Sequence, residues 1–183
     1  MNGKDVAFHY VCIRDEAREL VKKFNRFWVA RCGCREERGG KCHRSHIDLC
    51  LMFRDDIEPS GTGMKEIPFS DVEEIFREAQ EKYLVTKPFR DEETKRRIDG
   101  ICFCCDDCCG YFQNEDEVCD KGQLIERTRS HECTNCGECV EVCYFGARQV
   151  EGDELVIDRD NCYGCGLCVD VCPVECIEMV PRG

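Results

Sequence analysis

The 183-residue chain has no apolar run approaching the roughly 18–20 residues that a membrane-crossing helix requires. Its first twenty residues, MNGKDVAFHYVCIRDEAREL, carry charges throughout and hold no apolar core of signal-peptide length. The glycine pattern of a dinucleotide-binding turn is missing, because Gly61-Thr62-Gly63 is too short and lacks the rest. There is no P-loop and no G-x-S-x-G elbow. These absences leave no support for a flavin, nicotinamide or nucleotide site. Positive charge is in deficit. The 26 Lys and Arg face 38 Asp and Glu, and the net charge of −12 argues against a nucleic-acid partner. Such acidity suits docking on a basic patch of another protein, or simply aids solubility. The carboxylates Asp55, Asp56 and Glu58 read as a solvated charge run.

Cysteine is what the chain has in excess, with 20 of 183 residues. In a short secreted chain that fraction would indicate a disulfide scaffold. Here the cysteines recur at x2 and x3 spacings, which suit ligation of one centre better than pairing across a fold. A reducing cytoplasm, where thiols stay free for metal, is the expected setting. The distribution is uneven. Cys12, Cys32, Cys34, Cys42 and Cys50 lie in residues 1–60, residues 61–99 hold none, and residues 100–183 hold fifteen.

The cysteine-free stretch opens with a Pro/Gly-punctuated loop, PSGTGMKEIP. Ser70 and Glu73 then have capping-box spacing. Val72, Ile75, Phe76, Ala79 and Tyr83 follow at helical period, predicting a helix over about 70–85. A second helix is expected over about 14–30, with Leu20, Phe24, Phe27 and Trp28 on its apolar face and Asp15 and Glu16 at its start. Ordinary core packing accounts for these aromatic residues. The expectation is an α+β chain whose residues 1–124 form a mostly helical, cysteine-rich region.

An internal repeat dominates the last third. Cys133, Cys136, Cys139 and Cys143 spell C-x2-C-x2-C-x3-C, and Cys162, Cys165, Cys168 and Cys172 spell it again 29 residues later. Gly137 matches Gly166, Val140 matches Val169, and Val142 matches Val171. The spacing has a physical reason. A cubane presents its irons at tetrahedral corners, and cysteines three apart on a short loop can wrap three of them. Glycine lets backbone amides approach the sulfides. The x3 step starts a short helix, at about 139–144 and again at 168–173, which carries the fourth cysteine away. Between the runs, Gln149–Glu151 and Leu155–Ile157 read as hairpin strands around Gly152-Asp153, and Cys176–Val180 as a closing strand.

Residues 125–183 thus resemble a bacterial-type two-cluster ferredoxin along their whole length. The resemblance implies a pseudo-twofold βαββαβ module holding two 4Fe–4S clusters, one on Cys133, Cys136, Cys139 and Cys172, the other on Cys162, Cys165, Cys168 and Cys143. Tyr144 departs from the pattern, standing where many such ferredoxins have proline after the first run. Ligation does not need that proline, but the neighbouring potential can differ. A pair of zinc sites is the competing reading, and tandem four-cysteine runs match it poorly.

Twelve cysteines remain, nine of them in two front groups. Residues 101–110, ICFCCDDCCG, place Cys102, Cys104, Cys105, Cys108 and Cys109 within eight positions, and Asp106 and Asp107 make the stretch polar. Metal binding explains it better than packing. Adjacent cysteines point in different directions, so one pair can serve two centres. A second group, Cys32, Cys34, Cys42 and Cys50, sits in a loop with Gly33, Gly39 and Gly40, made locally basic by Arg31, Arg35, Arg38, Lys41 and Arg44. Nearby cations lower thiol pKa values and offset the charge of an anionic cluster. His43 and His46 read as solvated loop residues first and as imidazole ligands second. The two groups are expected to meet and bind one or two further iron–sulfur clusters. The combination resembles ferredoxin-like proteins with a cysteine-rich region ahead of the module. Cys176 reads as core, and Cys12 and Cys119 are uncommitted.

The first functional expectation is an electron carrier or redox-complex subunit. It would pass low-potential electrons between redox enzymes of anaerobic metabolism. Catalysis at an unusual front cluster fed by the module is the second. An iron–sulfur or zinc-dependent sensor or assembly factor is the third.

Overall fold

The computed structural model describes residues 6–46, 49–53, 63–113 and 117–183. The acidic run Asp55, Asp56 and Glu58 and residues 59–62 of the expected loop lie outside them. The chain begins with β1 (His9–Tyr10), α1 (Arg14–Val21), β2 (Phe27–Ala30), α2 (Gly33–Glu37), β3 (Cys50–Met52) and β4 (Lys65–Ile67). It continues with α3 (Phe69–Glu81), β5 (Val85–Arg90), β6 (Ile98–Cys104), α4 (Gly110–Gln113) and β7 (Cys119–Asp120). The last third is β8 (Leu124–Thr128), α5 (Glu138–Glu141), β9 (Arg148–Glu151), β10 (Glu154–Ile157), α6 (Leu167–Asp170) and β11 (Ile177–Pro181).

The front region is not mostly helical. It is built on a seven-stranded sheet in the order β4-β2-β3-β6-β5-β1-β7. The pairs are antiparallel except β1 with β7. The helix expected over 14–30 ends at Val21, where Lys23 and Phe24 N–H groups turn back onto Leu20 and Val21 carbonyls at 3.2 and 3.0 Å. Phe27, Trp28, Val29 and Ala30 then form a strand between β3 and β4. Aromatic and β-branched residues suit a pleated surface, and burial of Trp28 in the sheet outweighs the helical spacing of the apolar residues.

Helix α3 covers the stretch predicted over 70–85, but its cap differs. The N-cap is Pro68, with no side-chain cap bond, and Ser70 lies inside the first turn with its hydroxyl 3.2 Å from Asp71 Oδ1. Val72, Ile75, Phe76 and Ala79 are buried, as the period requires, whereas Tyr83 lies beyond the helix and is exposed.

Strand alternation decides what each face of the sheet carries. Phe27, Leu51, Ile101 and Phe103 point to one face and pack with Ala17 and Val21 of α1 and Val72, Ile75, Phe76 and Ala79 of α3. Phe76 meets Phe103 edge to face at 5.4 Å. Cys50, Cys102, Cys104 and Lys87, in register on β3, β6 and β5, point to the other.

The last third has the order β8-α5-β9-β10-α6-β11, with β8 paired to β11 and β9 to β10, both antiparallel. The hairpin turns at Gly152-Asp153, with Gly152 at φ +61°. Helices α5 and α6 each start on a left-handed glycine, Gly137 at φ +80° and Gly166 at φ +79°. That backbone is open to glycine and strained for most other residues. Among the described residues, no helix is long and apolar enough to cross a membrane.

Candidate metal centres

Cys133, Cys136, Cys139 and Cys172 line one cavity of the last third, together with Leu155 and Ile177. Cys143, Cys162, Cys165 and Cys168 line a second, with Val142, Phe145 and Ala147. The crossing of the fourth cysteines is mechanical. After α5 the Cys143 N–H turns onto Val140 O at 3.0 Å, and after α6 the Cys172 N–H turns onto Val169 O at 3.4 Å. One short turn in each half thus carries a thiol out of its own loop. Cys176 also borders the first cavity, with Sγ 3.6 Å from that of Cys172. It is buried just before β11 rather than within it.

Burial pushes the Cys165 thiol up to about 12 and also raises Cys168 and Cys143. Thiols so reluctant to ionise give up their protons readily only to a metal, which deprotonates its ligands outright. Between the two cavities lies Arg148, with its side chain buried. Its Nη1 donates to Cys139 Sγ at 3.3 Å, and its Nη2 donates to Glu126 Oε2 at 2.6 Å and Thr128 Oγ1 at 2.8 Å. Burial opposes its charge, but Cys168, Cys139 and Glu126 hold its pKa above the ordinary value.

Residues 132–176 match a family model described as a 4Fe-4S dicluster domain. The segment is a ferredoxin-like iron–sulfur module that binds 4Fe–4S clusters and serves electron transfer. None of the curated proteins compared matches the chain.

Ahead of the module the structure sorts the remaining thiols by face. A third cavity is bordered by Cys32, Cys34, Cys102, Cys104, Cys108 and Cys109, with His9, Arg35, Lys87 and Glu117. Cys50 Sγ is 3.7 Å from Cys102 Sγ, which is 3.7 Å from His9 Nε2. Lys87 Nζ lies 3.6 Å from Cys109 Sγ. Hydrogen bonds from Cys109 and Cys32 hold the Cys34 thiol well below the usual range, and Cys32 in turn is pushed up to about 11 by its bond to Cys34. Burial raises Cys119, beside His9 on β7, to about 12.

Cys105 and Cys108 leave β6 toward the helix-covered face. A single turn, closed by Cys109 N–H onto Cys105 O at 3.2 Å, puts them together and sends Cys104 and Cys109 the other way. Cys42 joins them, its Sγ 3.6 Å from Cys105 Sγ, which is 3.4 Å from Cys108 Sγ. The bond to Cys108 lowers the Cys105 thiol to about 5. The 32–50 and 101–110 groups therefore do meet, at two places. Cys12 is apart from both, buried in the core beneath α1.

Arg35 supplies a test of what these sites accept. It is 1% exposed, and its Nη2 donates to Phe103 O at 3.0 Å. Among the described residues, its Nε and Nη1 have no hydrogen-bond partner. A buried guanidinium with unsatisfied donors is costly, and an anionic metal–thiolate centre beside it removes that cost. Lys87 gives the same indication. Burial opposes its charge, yet Cys104, Cys109, Cys119 and Cys102 hold its pKa above the ordinary value. Residues Arg31, Arg38 and Lys41 of the basic loop stay at the surface.

Neither loop histidine joins a thiol group. His43 uses its backbone N–H on Asp107 Oδ2 at 2.8 Å, and the exposed His46 lies 3.8 Å from Glu78 Oε1. His9 and Lys87 were not legible as site residues. They come from strands distant in sequence, and only the sheet register places them beside cysteines.

One buried contact joins front and module. Val11, Val85, Cys104 and Cys109 pack with Val142 and Leu167, flanked by Tyr111, Phe112, Tyr144, Phe145 and Tyr163. Phe145 and Tyr163 stack at 4.3 Å and 11°. Tyr144, the departure from the ferredoxin pattern, lies under Arg44 at 5.1 Å, with its hydroxyl buried and without a partner. An Arg14–Asp170 ion pair ties α1 to α6.

Proposed function

We propose that this chain is a multicluster electron carrier, acting as a ferredoxin or as a subunit of a larger redox complex in the cytoplasm. Cys133, Cys136, Cys139 and Cys172 would hold one cluster of the module, and Cys162, Cys165, Cys168 and Cys143 the other. Cys32, Cys34, Cys50, Cys102, Cys104 and Cys109 would hold a further one. When bound, each cluster supplies a one-electron carrier whose potential its surroundings set. The protein's part is to hold the thiolates, keep water away and balance charge with Arg148, Arg35 and Lys87.

The observation that carries this reading is the shared apolar contact. Cys104 and Cys109 of the front cavity pack in the same cluster as Val142 and Phe145, which line the second module cavity. The front cavity therefore lies next to a cluster site of the module. The functional boundary would separate 1–124, which ends just past β7 with the first residue of β8, Leu124, from 125–183, which the rest of β8 opens. Redox proteins with basic docking surfaces would match the acidic chain, and low potentials would follow from the likeness to bacterial ferredoxins.

The test is iron, zinc and acid-labile sulfide per chain after oxygen-free purification. By cubane stoichiometry, about 12 irons or more with matching sulfide supports a front cluster in series with the module. About 8 irons would limit the chain to the module's pair and sink the multicluster reading. A second reading, catalysis at the front cluster, is favoured by His9 and Lys87 facing that cavity, where a half-buried imidazole and a buried ammonium would serve a substrate as polar partners or proton donors. Substrate-dependent oxidation of the reduced protein, lost in Lys87→Met with its iron retained, would support it.

A further inference from the structure

We infer that Cys42, Cys105 and Cys108 form a separate mononuclear zinc site with an open fourth position, distinct from the front iron–sulfur cavity. This extends the reading that the front thiols bind metal, but it does not depend on a cluster in the six-thiol cavity.

The first support is spacing. Four thiolates at about 2.3 Å around one tetrahedral zinc lie roughly 3.8 Å from one another. The Cys42–Cys105 and Cys105–Cys108 separations are 3.6 and 3.4 Å. Among the described residues, these three are the only set of thiol, imidazole or carboxylate groups whose ligand atoms all lie within 4.8 Å of one another. The module offers an internal standard. Its two four-cysteine cavities contain no such set, as expected where each thiolate takes a different iron of a cubane. The six thiols of the front cavity form close pairs, yet no three of them gather this tightly.

The second support is separation. Cys105 and Cys108 belong to the helix-side core, and Cys104 and Cys109 to the contact with the module. Cys108 also borders the front cavity beside Cys104 and Cys109, whereas Cys42 and Cys105 do not line it.

The third is charge and anchoring. Zinc with three thiolates carries one net negative charge. Arg35 carries one positive charge, is buried, and has two donor groups without a partner; the thiols that act most on its charge include Cys108 and Cys42. The loop bearing Cys42 has no regular structure but is pinned to the 105–108 turn. His43 N–H bonds Asp107, and Arg44 Nε and Nη2 reach Asp106 at 3.0 and 3.3 Å. Cys42 is half-buried while Cys105 and Cys108 are fully buried, so the side facing Cys42 is the one that solvent reaches. Among the described residues, no fourth side chain of ligand type closes the set, which leaves that vertex to water or a small exogenous ligand.

The test uses the full chain, purified without oxygen from cells supplied with zinc. Wild type should carry about one zinc in addition to its iron, and zinc-edge X-ray absorption should show three sulfurs at about 2.3 Å, one lighter neighbour and no nearby metal. Cys42→Ser should lose the zinc and keep its labile sulfide; Cys102→Ser should keep the zinc and lose front-cavity iron and sulfide. Loss of sulfide in Cys42→Ser would put Cys42 in the cluster and overturn the inference, leaving the multicluster reading intact. Zinc retained with only about 8 irons would do the reverse. Should Cys42→Ser fail to fold, the wild-type spectrum decides. Absence of zinc, or an iron neighbour next to it, overturns the site.

Discussion

Arg148 shows how one residue ties charge to architecture. It lies buried between two cluster cavities, with Cys139 on one side and Glu126 held at 2.6 Å on the other. Arg148→Met leaves Glu126 in a buried site with only Arg159, 2.9 Å from its Oε1, as a charged neighbour. The expected loss is about 3 kcal/mol, because removing one partner of a buried pair strands the other. Potentials of both module clusters should fall as well, since a nearby cation favours the more negative reduced state. Chemical denaturation and redox titration of the holoprotein check the two effects separately. Tyr144 gives a contrasting case. Its hydroxyl is buried without a partner, so Tyr144→Phe keeps the ring under Arg44 and removes an unsatisfied group. Stability should stay level or rise by about 1 kcal/mol, read from the thermal midpoint. The sequence marked Tyr144 as unusual, but nothing in it showed that this ring meets the front loop.

Among the elements, the short helices of the module were legible, and the first front helix was legible at its start but not at its end. Gly137 and Gly166 sit at equivalent places in the repeat, and both open a helix in the left-handed region. Their surroundings differ. A Cβ at Gly137 would meet only Val150 at 3.7 Å, whereas at Gly166 it would press on Ile13 at 3.0 Å. Gly137→Ala should therefore cost about 1 kcal/mol, from backbone conformation alone. Gly166→Ala should cost more and loosen α1 where it meets the module. Denaturation midpoints of the two variants, with sulfide content verified, would show the difference; equal losses would mean that Ile13 yields freely. The stretch 14–30 misled because its apolar residues fit a helical face by spacing. Helix α1 stops at Val21 and the remainder becomes a strand, since pairing with β3 and β4 satisfies its backbone and buries Trp28 completely.

Across the whole molecule, stability is unevenly founded. The front sheet and its two helices share a broad apolar core, whereas the buried cluster around the first module cavity consists of Cys139, Cys176 and Ile177. Metal ligation must supply what the module's small core lacks. Iron chelation should unfold residues 125–183 first and leave the front sheet's strands protected. Hydrogen exchange of the chelated protein checks this, and unchanged protection in β8 and β11 would refute it. In the front region, Phe76→Ala should cost about 3–5 kcal/mol in holoprotein, because it empties the contact with Phe103 at the centre of the core.

Some of this protein is determined locally. The repeat, the short helices, the Gly152 hairpin and the grouping of eight cysteines into two runs rest on spacings of a few residues, and such spacings are written directly in the chain. The front region is different in kind. Its nine clustered thiols divide between two faces of a sheet because successive strand residues point oppositely, and because a single turn at 105–108 reverses that division. His9 and Lys87 reach the thiols from strands separate in sequence, β1 and β5. Which cysteines lie together there was decided by strand register and long-range packing, which only the tertiary structure contains.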